Sequence, residues 1–549
     1  MTAATSVVAC HHPEGGRHGR RHQERRRRHA RRGDADRRGQ HRRHVRRLLS
    51  EEAVVLDLDT RWTLHPRVAM RPESFGALLY HFGTRKLSFL KSRALVEIVR
   101  TLPAHDSVRA ALRAGGAADS ASYLQALGRL AESDMLVPAP GPAVPLAAAE
   151  PPSVAGSAVP EGGRLIDRFE SGLAAPICLT WELTYACNLS CVHCLSSSGR
   201  RDPNELTTEQ CKALIDEFER MQIFYVNIGG GEPTVRPDFW ELVDYATAHH
   251  VGVKFSTNGV RIDEKVAARL AASDYVDVQI SLDGATAEVN DAVRGPGSYA
   301  TAIRALENLA AAGFRDAKLS VVATRHNIAQ LDEFKAIADR YGATLRLTRL
   351  RPSGRGADVW DELHPLPEQQ RELYDWLVRN GEGVLTGDSF FHLSAFGSAL
   401  PGLNMCGAGR VVCLVDPVGD VYACPFAIHD RFKAGNIVAD GGFESVWTDS
   451  SLFGELREPA EGGACTKCSH FDACRGGCMA AKFFTGLPAD GPDPECVQGY
   501  GEAALALPGR VVPRPAVDHS RPVRAKARVP LPLAVARRPA RACDVSPLG

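Results

Sequence analysis

The sequence of 549 residues has no stretch approaching the roughly 18 uninterrupted apolar residues of a membrane-spanning helix. Its first 30 residues also lack the apolar segment of a secretory signal peptide. An excess of one charge is missing as well, because 66 Lys and Arg stand against 65 Asp and Glu. Since 15 cysteines without a signal favour a reducing compartment, we expect a cytoplasmic protein with no membrane partner.

The balanced total charge conceals a strongly basic beginning. Residues 1–48 contain 15 Arg, 4 acidic residues and almost no apolar side chains. We therefore predict a basic disordered arm over 1–50. One interpretation is an arm that binds a nucleic acid or an acidic partner. The other is that the translation start is assigned too far upstream. The remaining chain has 51 basic and 61 acidic residues, so we expect no nucleic-acid partner for the folded part.

The pattern becomes globular over residues 51–138. Three short strands are predicted in WTLHPRVAMRP, FGALLYHFG and RKLSFLK, and three helices with apolar spacing follow. This order predicts a small winged-helix domain. Its 11 basic and 10 acidic residues give no electrostatic footprint for DNA, so a peptide adding itself as an extra strand to the sheet edge is the preferred interpretation.

A linker rich in Pro, Ala and Gly follows over 139–162. After it, strands and helices alternate in six units, from APICLTWEL to TLRLTRL, which predicts an α/β fold. We expect a partial (β/α)6 barrel, similar to a TIM barrel, over 163–360. A small cysteine-rich domain over 361–500 and a Pro/Arg-rich tail over 501–549 complete the predicted organisation.

Cys187, Cys191 and Cys194 follow the first of these predicted strands, with the spacing Cys-x3-Cys-x2-Cys. Three thiolates can hold three irons of a four-iron, four-sulfur cluster and leave one iron open. The amine and carboxylate of S-adenosylmethionine can occupy that iron and receive an electron. A zinc site is the alternative, although this spacing leaves no obvious fourth ligand nearby.

Three further motifs end the next predicted strands. The first is Gly229-Gly230-Gly231-Glu232-Pro233, where the backbone can approach a ligand closely. Ser256 and Asn258 offer partners for a ribose, Ser281 ends the following strand, and Arg294 could clamp a carboxylate. Ordinary turns and helix caps are the alternative for each motif, and we favour that interpretation for Asp283.

Eight cysteines near the carboxyl end suffice for two four-cysteine clusters or for several zinc ions. They are Cys406, Cys413, Cys424, Cys465, Cys468, Cys474, Cys478 and Cys496. Four other cysteines match no pattern and are interpreted as free or buried thiols, namely Cys10, Cys178, Cys211 and Cys543.

The triad, GGGEP and the barrel pattern resemble the radical S-adenosylmethionine enzymes over about 163–350. His193, before the third cysteine, departs from the aromatic residue of many relatives. The later cysteines resemble the SPASM extension, which binds two auxiliary clusters. This resemblance implies Cys406, Cys413, Cys424 and Cys478 as ligands of one cluster, and Cys465, Cys468, Cys474 and Cys496 as ligands of the other.

Over about 163–500 the resemblance narrows to the mycofactocin radical maturases. Three segments carry it, namely WELTYACNLSCVHCLSSSG, RPSGRGADVW and CRGGCMAAKFFTG. Residues 54–138 resemble the chaperones that bind the mycofactocin precursor. The resemblance implies a short ribosomal precursor peptide as substrate and an electron donor such as a flavodoxin or ferredoxin. It also implies oxidative decarboxylation of the peptide's terminal tyrosine, followed by carbon-carbon bond formation to the adjacent valine.

Two other functions remain open from the sequence. One is a different peptide maturase, such as a sulfatase-maturing enzyme, in which a carboxylate follows the cysteine corresponding to Cys424. Pro425 stands at that place here, which disfavours it. The other is a zinc-binding regulator with a DNA-binding winged helix, against which the near-neutral domain and GGGEP argue.

Overall fold

The structure, a computed structural model, describes residues 56–117, 120–141, 172–273, 275–315, 317–386, 390–402, 404–458 and 464–513. The predicted basic arm, most of the linker and most of the tail lie outside these residues. Of the described residues, 56–63 and 102–141 form a smaller compact unit, and the others form a larger one. No helix within the described part of the chain is long and apolar enough to span a membrane.

The amino-terminal region contains the predicted three strands and three helices, with two short strands in addition. Its elements are β1 (Trp62–Leu64), β2 (Val68–Glu73), β3 (Gly76–His81), β4 (Lys86–Leu90), α1 (Arg93–Thr101), α2 (Val108–Ala114), α3 (Ala121–Glu132) and β5 (Leu136–Pro138). The first predicted strand is split because a turn, closed by the Val68 N–H on the His65 carbonyl, interrupts it at Pro66. In the smaller unit, the Ser107 and Ser120 hydroxyls cap α2 and α3.

The predicted six strand-and-helix units are present in the larger unit. They are β6 (Cys178–Thr184), α4 (Thr208–Arg220), β7 (Tyr225–Gly230), α5 (Phe239–Ala248), β8 (Gly252–Thr257), α6 (Glu264–Ala271), β9 (Val276–Ser281), α7 (Ala287–Arg294), α8 (Ser298–Ala311), β10 (Lys318–Ala323), α9 (Leu331–Arg340) and β11 (Thr344–Arg349). A capping box of Thr207 and Gln210 fixes where α4 begins.

Strands β6 to β11 are parallel and lie side by side in chain order. Their carboxyl ends therefore share one edge of the sheet, which is where ligands bind in such folds. Leu179, Trp181 and Leu183 of β6 are buried on the face that packs against the helices. Thr180, Glu182 and Thr184 alternate with them and therefore point to the opposite face.

The rest of the larger unit extends the same sheet and adds short elements. These are α10 (Trp360–Leu363), α11 (Pro367–Asn380), β12 (Val384–Leu385), β13 (Val412–Val415), β14 (Asp420–Tyr422), β15 (Lys433–Asn436), α12 (Phe443–Asp449), α13 (Ser451–Arg457), α14 (Phe471–Cys474), α15 (Met479–Phe484) and α16 (Tyr500–Leu505). The sheet has ten strands in the order β12-β11-β10-β9-β8-β7-β6-β13-β14-β15. Helix α16 lies where the sequence predicted the beginning of a tail.

The antiparallel sheet β2-β3-β4 packs within the larger unit against residues near the amino ends of the parallel strands. Tyr80 stacks on Phe224 at 5.4 Å between ring centroids. The buried Arg71 guanidinium donates to the carbonyls of Ala175, Pro176 and Gln222, while it pairs with the Glu73 carboxylate at 2.8 Å. We call this contact the seam; it lies at the end of the strands opposite to the cysteine triad.

Candidate metal centre and ligand-binding rim

The cysteine triad occupies the loop that leaves the carboxyl end of β6. The loop is folded back on itself by the Cys187 N–H, which donates to the Gly199 carbonyl at 3.2 Å. The Val192 N–H holds it to the carbonyl of Val293 at 3.0 Å. Burial is the largest cause, and the nearby Cys191 and Cys194 thiols a smaller one, of a Cys187 pKa raised to about 12. The three predicted ligands are therefore brought together.

The donor set fits an iron-sulfur cluster. No described cysteine is in a disulfide, so each of the three sulfurs is available for a metal bond. Thiols crowded in a buried site stay protonated on their own, whereas bound metal cations deprotonate coordinating thiols outright. Burial raises the pKa of the Cys187 and Cys191 thiols, so binding of the cluster would deprotonate both.

The glycines of GGGEP let the loop after β7 lie directly against the triad loop. A Cβ on Gly231 would come within 2.1 Å of the Ala186 carbonyl oxygen, and Gly230 has a φ of +98°. A Cβ on Gly229 would have no described atom within 4 Å, so its backbone borders open space at the rim. Pro233 begins a buried 3-10 turn. The arrangement leaves backbone exposed to a ligand next to the triad.

The Glu232 carboxylate connects the rim loops. It is fully buried and accepts hydrogen bonds from the Thr257 hydroxyl at 2.7 Å and the Asn258 N–H at 2.8 Å. The Asn258 amide in turn donates to the Asn188 side chain of the triad loop at 2.8 Å. Three predicted segments thus meet at one edge, and Glu232 organises them. That Glu232 itself contacts the cofactor stays a prediction.

Ser256 and Ser281 lie half-buried near the ends of β8 and β9. The Ser256 hydroxyl accepts a hydrogen bond from the Gln279 amide at 3.2 Å. Ser281 stands opposite Ser320 in the parallel register. Both are at the predicted edge, and their contact with the cofactor stays a prediction.

A buried ionic group lies beside the triad, and the sequence did not reveal it. Asp283, interpreted as a turn residue, accepts from Arg294 Nε at 2.7 Å and lies 2.8 Å from His193 Nε2. Although burial opposes it, these two partners hold the pKa of Asp283 below its usual range. His193, for which the sequence suggested no role, is thus a partner of the Asp283 carboxylate. Arg294, predicted to clamp a carboxylate of the cofactor, binds the Asp283 carboxylate through Nε.

A pair of buried carboxyl groups is the second feature that sequence reasoning missed. Burial raises the pKa of Glu182 to about 8 and that of Asp416 to about 7. The Tyr185 hydroxyl donates to Asp416 at 2.9 Å, while Glu182 Oε2 has no partner among the described residues. Such groups can hold or release a proton near neutral pH. The signal in the sequence was a glutamate between Trp181 and Leu183 in a buried strand.

Seven of the eight later cysteines lie near others of their implied group, and the assignment of ligands to each cluster stays a prediction. Burial raises the pKa of Cys424, and Cys406 and Cys478 lie near enough to add to the effect. Burial likewise raises the pKa of Cys474, with a smaller contribution from the nearby Cys496, Cys465 and Cys468. The eighth, Cys413, is fully buried in β13 beside the Arg457 guanidinium, and its role as a ligand stays a prediction.

Cys211 is a buried thiol, as expected. It has no exposed surface, and Arg236 Nη2 lies 3.5 Å from its sulfur. Cys10 and Cys543 lie outside the described residues. Cys178 begins β6, and its predicted state stays a prediction.

Three stretches of the chain match known protein families. Residues 61–137 match the peptide chaperone MftB family, residues 181–338 the radical SAM superfamily, and residues 406–469 an iron-sulfur cluster-binding domain. The last match begins at the first of the later cysteines and includes five of them.

Individual relatives cover the same regions. Mycofactocin maturase MftC of Mycobacterium ulcerans is 79% identical over 360 residues, which are 65% of this chain and 97% of that protein. Its counterpart in Mycobacterium tuberculosis H37Rv is 74% identical over 387 residues, 70% of this chain and 98% of that protein. Peptide chaperone MftB of Mycolicibacterium smegmatis is 60% identical over 89 residues, 16% of this chain and 87% of that protein.

Solved structures of Streptococcus suis SuiB share the fold. SuiB bound to S-adenosylmethionine aligns with a TM-score of 0.56 at 16% identity, covering 79% of this chain and 99% of that chain. SuiB bound to its precursor peptide SuiA aligns over the same shares with a TM-score of 0.55, also at 16% identity. At this identity the likeness concerns the fold alone.

Proposed function

Because this chain belongs to the mycofactocin maturase family, with the peptide chaperone MftB family at its amino end, we propose that it binds and modifies a precursor peptide in mycofactocin biosynthesis. It is a radical S-adenosylmethionine enzyme, with [4Fe-4S] clusters and S-adenosylmethionine as cofactors. The observation that carries the proposal is the junction of the triad loop with the GGGEP loop at the carboxyl ends of β6 and β7.

We assign the cofactor site to that junction. Cys187, Cys191 and Cys194 would bind three irons of the first cluster, and the open backbone beside Gly229 would take the amino-acid end of S-adenosylmethionine. The linked Glu232 and Asn258 would keep the rim loops in place. The two groups of later cysteines would bind the auxiliary clusters, with Cys413 as the fourth ligand of the first group.

The architecture supports two finer assignments. The parallel order of β6 to β11, with open edges at β12 and β15, supports a partial (β/α)6 barrel. The order along the chain, in which strands β2 to β4 come before helices α1 to α3, supports a winged-helix recognition domain. We place the enzyme in the cytoplasm, since thiols must stay reduced to bind iron.

When bound to the first cluster, S-adenosylmethionine supplies an adenosyl radical that removes a hydrogen atom from the substrate. The family implies that the substrate is the carboxyl-terminal Val-Tyr of the precursor. Its tyrosine would lose carbon dioxide in an oxidation, and a second reaction would join the tyrosine-derived carbon to valine. An electron must leave the peptide in the first reaction, which requires an acceptor within the chain. Reductive cleavage of S-adenosylmethionine requires in addition an electron donor, such as a flavodoxin or ferredoxin.

The leader of the peptide would bind to the antiparallel sheet. Strands β2 and β4 are its two edge strands, and each offers backbone groups on one side to an added strand. Because the chaperone and maturase regions share one chain, this arrangement would replace a bimolecular encounter by an effective concentration on the order of millimolar.

The test is anaerobic incubation of the reconstituted protein with the precursor encoded beside its gene, S-adenosylmethionine and a reductant. Mass spectrometry of the peptide should show the loss of carbon dioxide, and deoxyadenosine should accumulate with it. Deoxyadenosine without a change in peptide mass would refute the substrate assignment while leaving the cofactor assignment intact.

A further inference from the structure

The segment Arg349–Gly356, with the sequence RLRPSGRG, leaves the end of β11 and contacts the loops that carry cysteines of all three groups. We call it the arginine segment. Three of its side chains are arginines, and each contacts a different part of the cysteine-bearing structure. The segment belongs to none of the motifs that the sequence assigned to cofactor binding.

Arg349, at the last position of β11, holds the loop between the two auxiliary groups. Its Nη1 donates to Asp493 Oδ2 at 2.9 Å, and its Nε donates to the Glu495 carboxylate. Asp493 accepts the Cys478 N–H on Oδ2 at 2.7 Å, and its carbonyl accepts the Cys496 N–H at 2.9 Å. One buried ion pair therefore fixes a cysteine of each auxiliary group.

The fit around Asp493 is close. Gly477, which precedes Cys478, has a φ of +84°, and a Cβ there would come within 2.3 Å of Asp493 Cβ. Since neither this backbone conformation nor this contact suits a side chain, the sequence has a glycine where Asp493 approaches. The loop is shaped to receive the carboxylate that Arg349 binds.

Arg351 lies beside the remaining part of the first auxiliary group. Its guanidinium stands 3.8 Å from the ring centroid of Phe426, two residues after Cys424. Nη1 donates to the Arg349 carbonyl at 3.3 Å, and the side chain is buried. The positive charge is thus held near Cys424 by the same segment.

Arg355 reaches the triad loop. Its Nε donates to the Cys191 carbonyl and its Nη1 to the Ser198 carbonyl, each at 2.9 Å, while its backbone N–H donates to the Cys194 carbonyl at 2.9 Å. Gly354 has a φ of +55°, and a Cβ there would come within 2.4 Å of the Cys194 carbonyl oxygen. The segment therefore lies directly on the backbone of two triad cysteines.

We propose that the arginine segment is a positioning element that fixes the triad loop relative to both auxiliary cysteine groups. It would set the spacing and the electrostatic surroundings of the clusters between which electrons pass. This inference rests on the proposed function, because it takes the cysteines as cluster ligands. Arginines at hydrogen-bond distance from ligand loops act as outer partners of a metal site, and loss of such partners typically costs about 10- to 100-fold in metal affinity or activity.

The test compares Arg355→Gln and Arg355→Lys with Arg325→Gln in the full-length reconstituted protein. Arg325 is a matched control, because it also donates to two backbone carbonyls, those of His364 and Asp361. We expect Arg355→Gln to keep its iron but to make about ten-fold more deoxyadenosine per modified peptide. The electron paramagnetic resonance change that S-adenosylmethionine causes in the first cluster should weaken. Arg355→Lys should be intermediate and Arg325→Gln unchanged.

The inference is overturned if Arg355→Gln matches the wild type both in its resonance signal and in the deoxyadenosine made per modified peptide. It is also overturned if Arg325→Gln causes the same change as Arg355→Gln. Arg349→Met combined with Asp493→Asn and Glu495→Gln, which removes the arginine and both of its buried carboxylate partners together, provides a second test. It should lose auxiliary iron while cleavage of S-adenosylmethionine without peptide persists. Full iron content in that variant would contradict the role of Arg349. If the wild type modifies no peptide, the proposed substrate fails, but iron content and resonance still decide this inference.

Discussion

The triad loop and the later cysteine-rich segments both present thiols, but they are built in different ways. The triad follows one strand of a parallel sheet, and its neighbours are the ends of adjacent strands. All the later cysteines except Cys413, which is in β13, lie on short helices or irregular backbone, where the Arg349 and Asp493 ion pair fixes the loop. The first site gains its geometry from secondary structure, and the others from a few buried polar contacts.

The difference also concerns the number of ligands. Three thiols leave one iron open for chemistry, whereas four close a cluster and leave it suited to electron transfer. A site on the rim of a rigid sheet is suited to bind a cofactor and a substrate, since both need fixed neighbours. We therefore expect loss of the triad and loss of an auxiliary group to have separable effects.

Replacing Cys187, Cys191 and Cys194 together by Ala should have the largest effect. Deoxyadenosine formation should fall below detection, because no cluster remains to donate an electron to the cofactor. Binding of the precursor, measured by fluorescence anisotropy of a labelled peptide, should be unchanged. Continued turnover would refute the assignment of the triad.

Cys465→Ala with Cys468→Ala should separate the two kinds of site. The variant should lose about four irons and all peptide modification, yet still cleave S-adenosylmethionine when reduced. Iron analysis and deoxyadenosine chromatography provide the measurement. Cys211→Ala is the control, since this buried thiol lies outside both groups. If the double variant lost cleavage of S-adenosylmethionine while Cys211→Ala kept it, the two sites would not be separable.

Arg71→Met should open the seam. It leaves Glu73 buried without its partner, which costs about 3–5 kcal/mol. Hydrogen exchange over β2 to β4 should accelerate, while β7 to β9 stay protected. The double variant Arg71→Met with Glu73→Gln should be milder, because no buried charge is left unpaired. Equal exchange in wild type and Arg71→Met would contradict the account of the seam.

The sequence was a good guide wherever a repeated pattern determined the structure. Alternating strands and helices predicted the six parallel units, while the two later cysteine groups are implied by the resemblance to the SPASM extension and stay a prediction. Contacts between residues distant in the chain could not be predicted in this way. Such contacts depend on how loops from separate strands meet, which no periodic pattern in the sequence indicates. Examples are the contact of Asp283 with His193 and that of Arg349 with Asp493.

Glu182→Gln should have the smallest effect, on the pH dependence of stability. Its pKa is about 8 in the folded protein, because burial raises it, and near the ordinary value of 4.5 in an unfolded chain. Between these values the folded state holds a proton that the unfolded state has lost, so stability falls as pH rises through this window. The slope is at most about 1.4 kcal/mol per pH unit.

Thermal unfolding at several pH values measures this effect. The variant should lose less stability than the wild type as pH rises towards 8, and it should be the more stable of the two at the upper end. Glu241→Gln, at a glutamate with 57% exposure, is the control and should follow the wild type. Parallel curves for Glu182→Gln and wild type would contradict the buried state of this carboxyl.

The most direct test of one open and two closed clusters is metal and sulfide analysis of the reconstituted protein beside its triad variant. Three clusters predict about twelve irons and twelve sulfides per chain, falling to about eight of each when the triad is replaced by alanine. Zinc in place of iron, or an iron content that does not change on loss of Cys187, Cys191 and Cys194, would contradict the account.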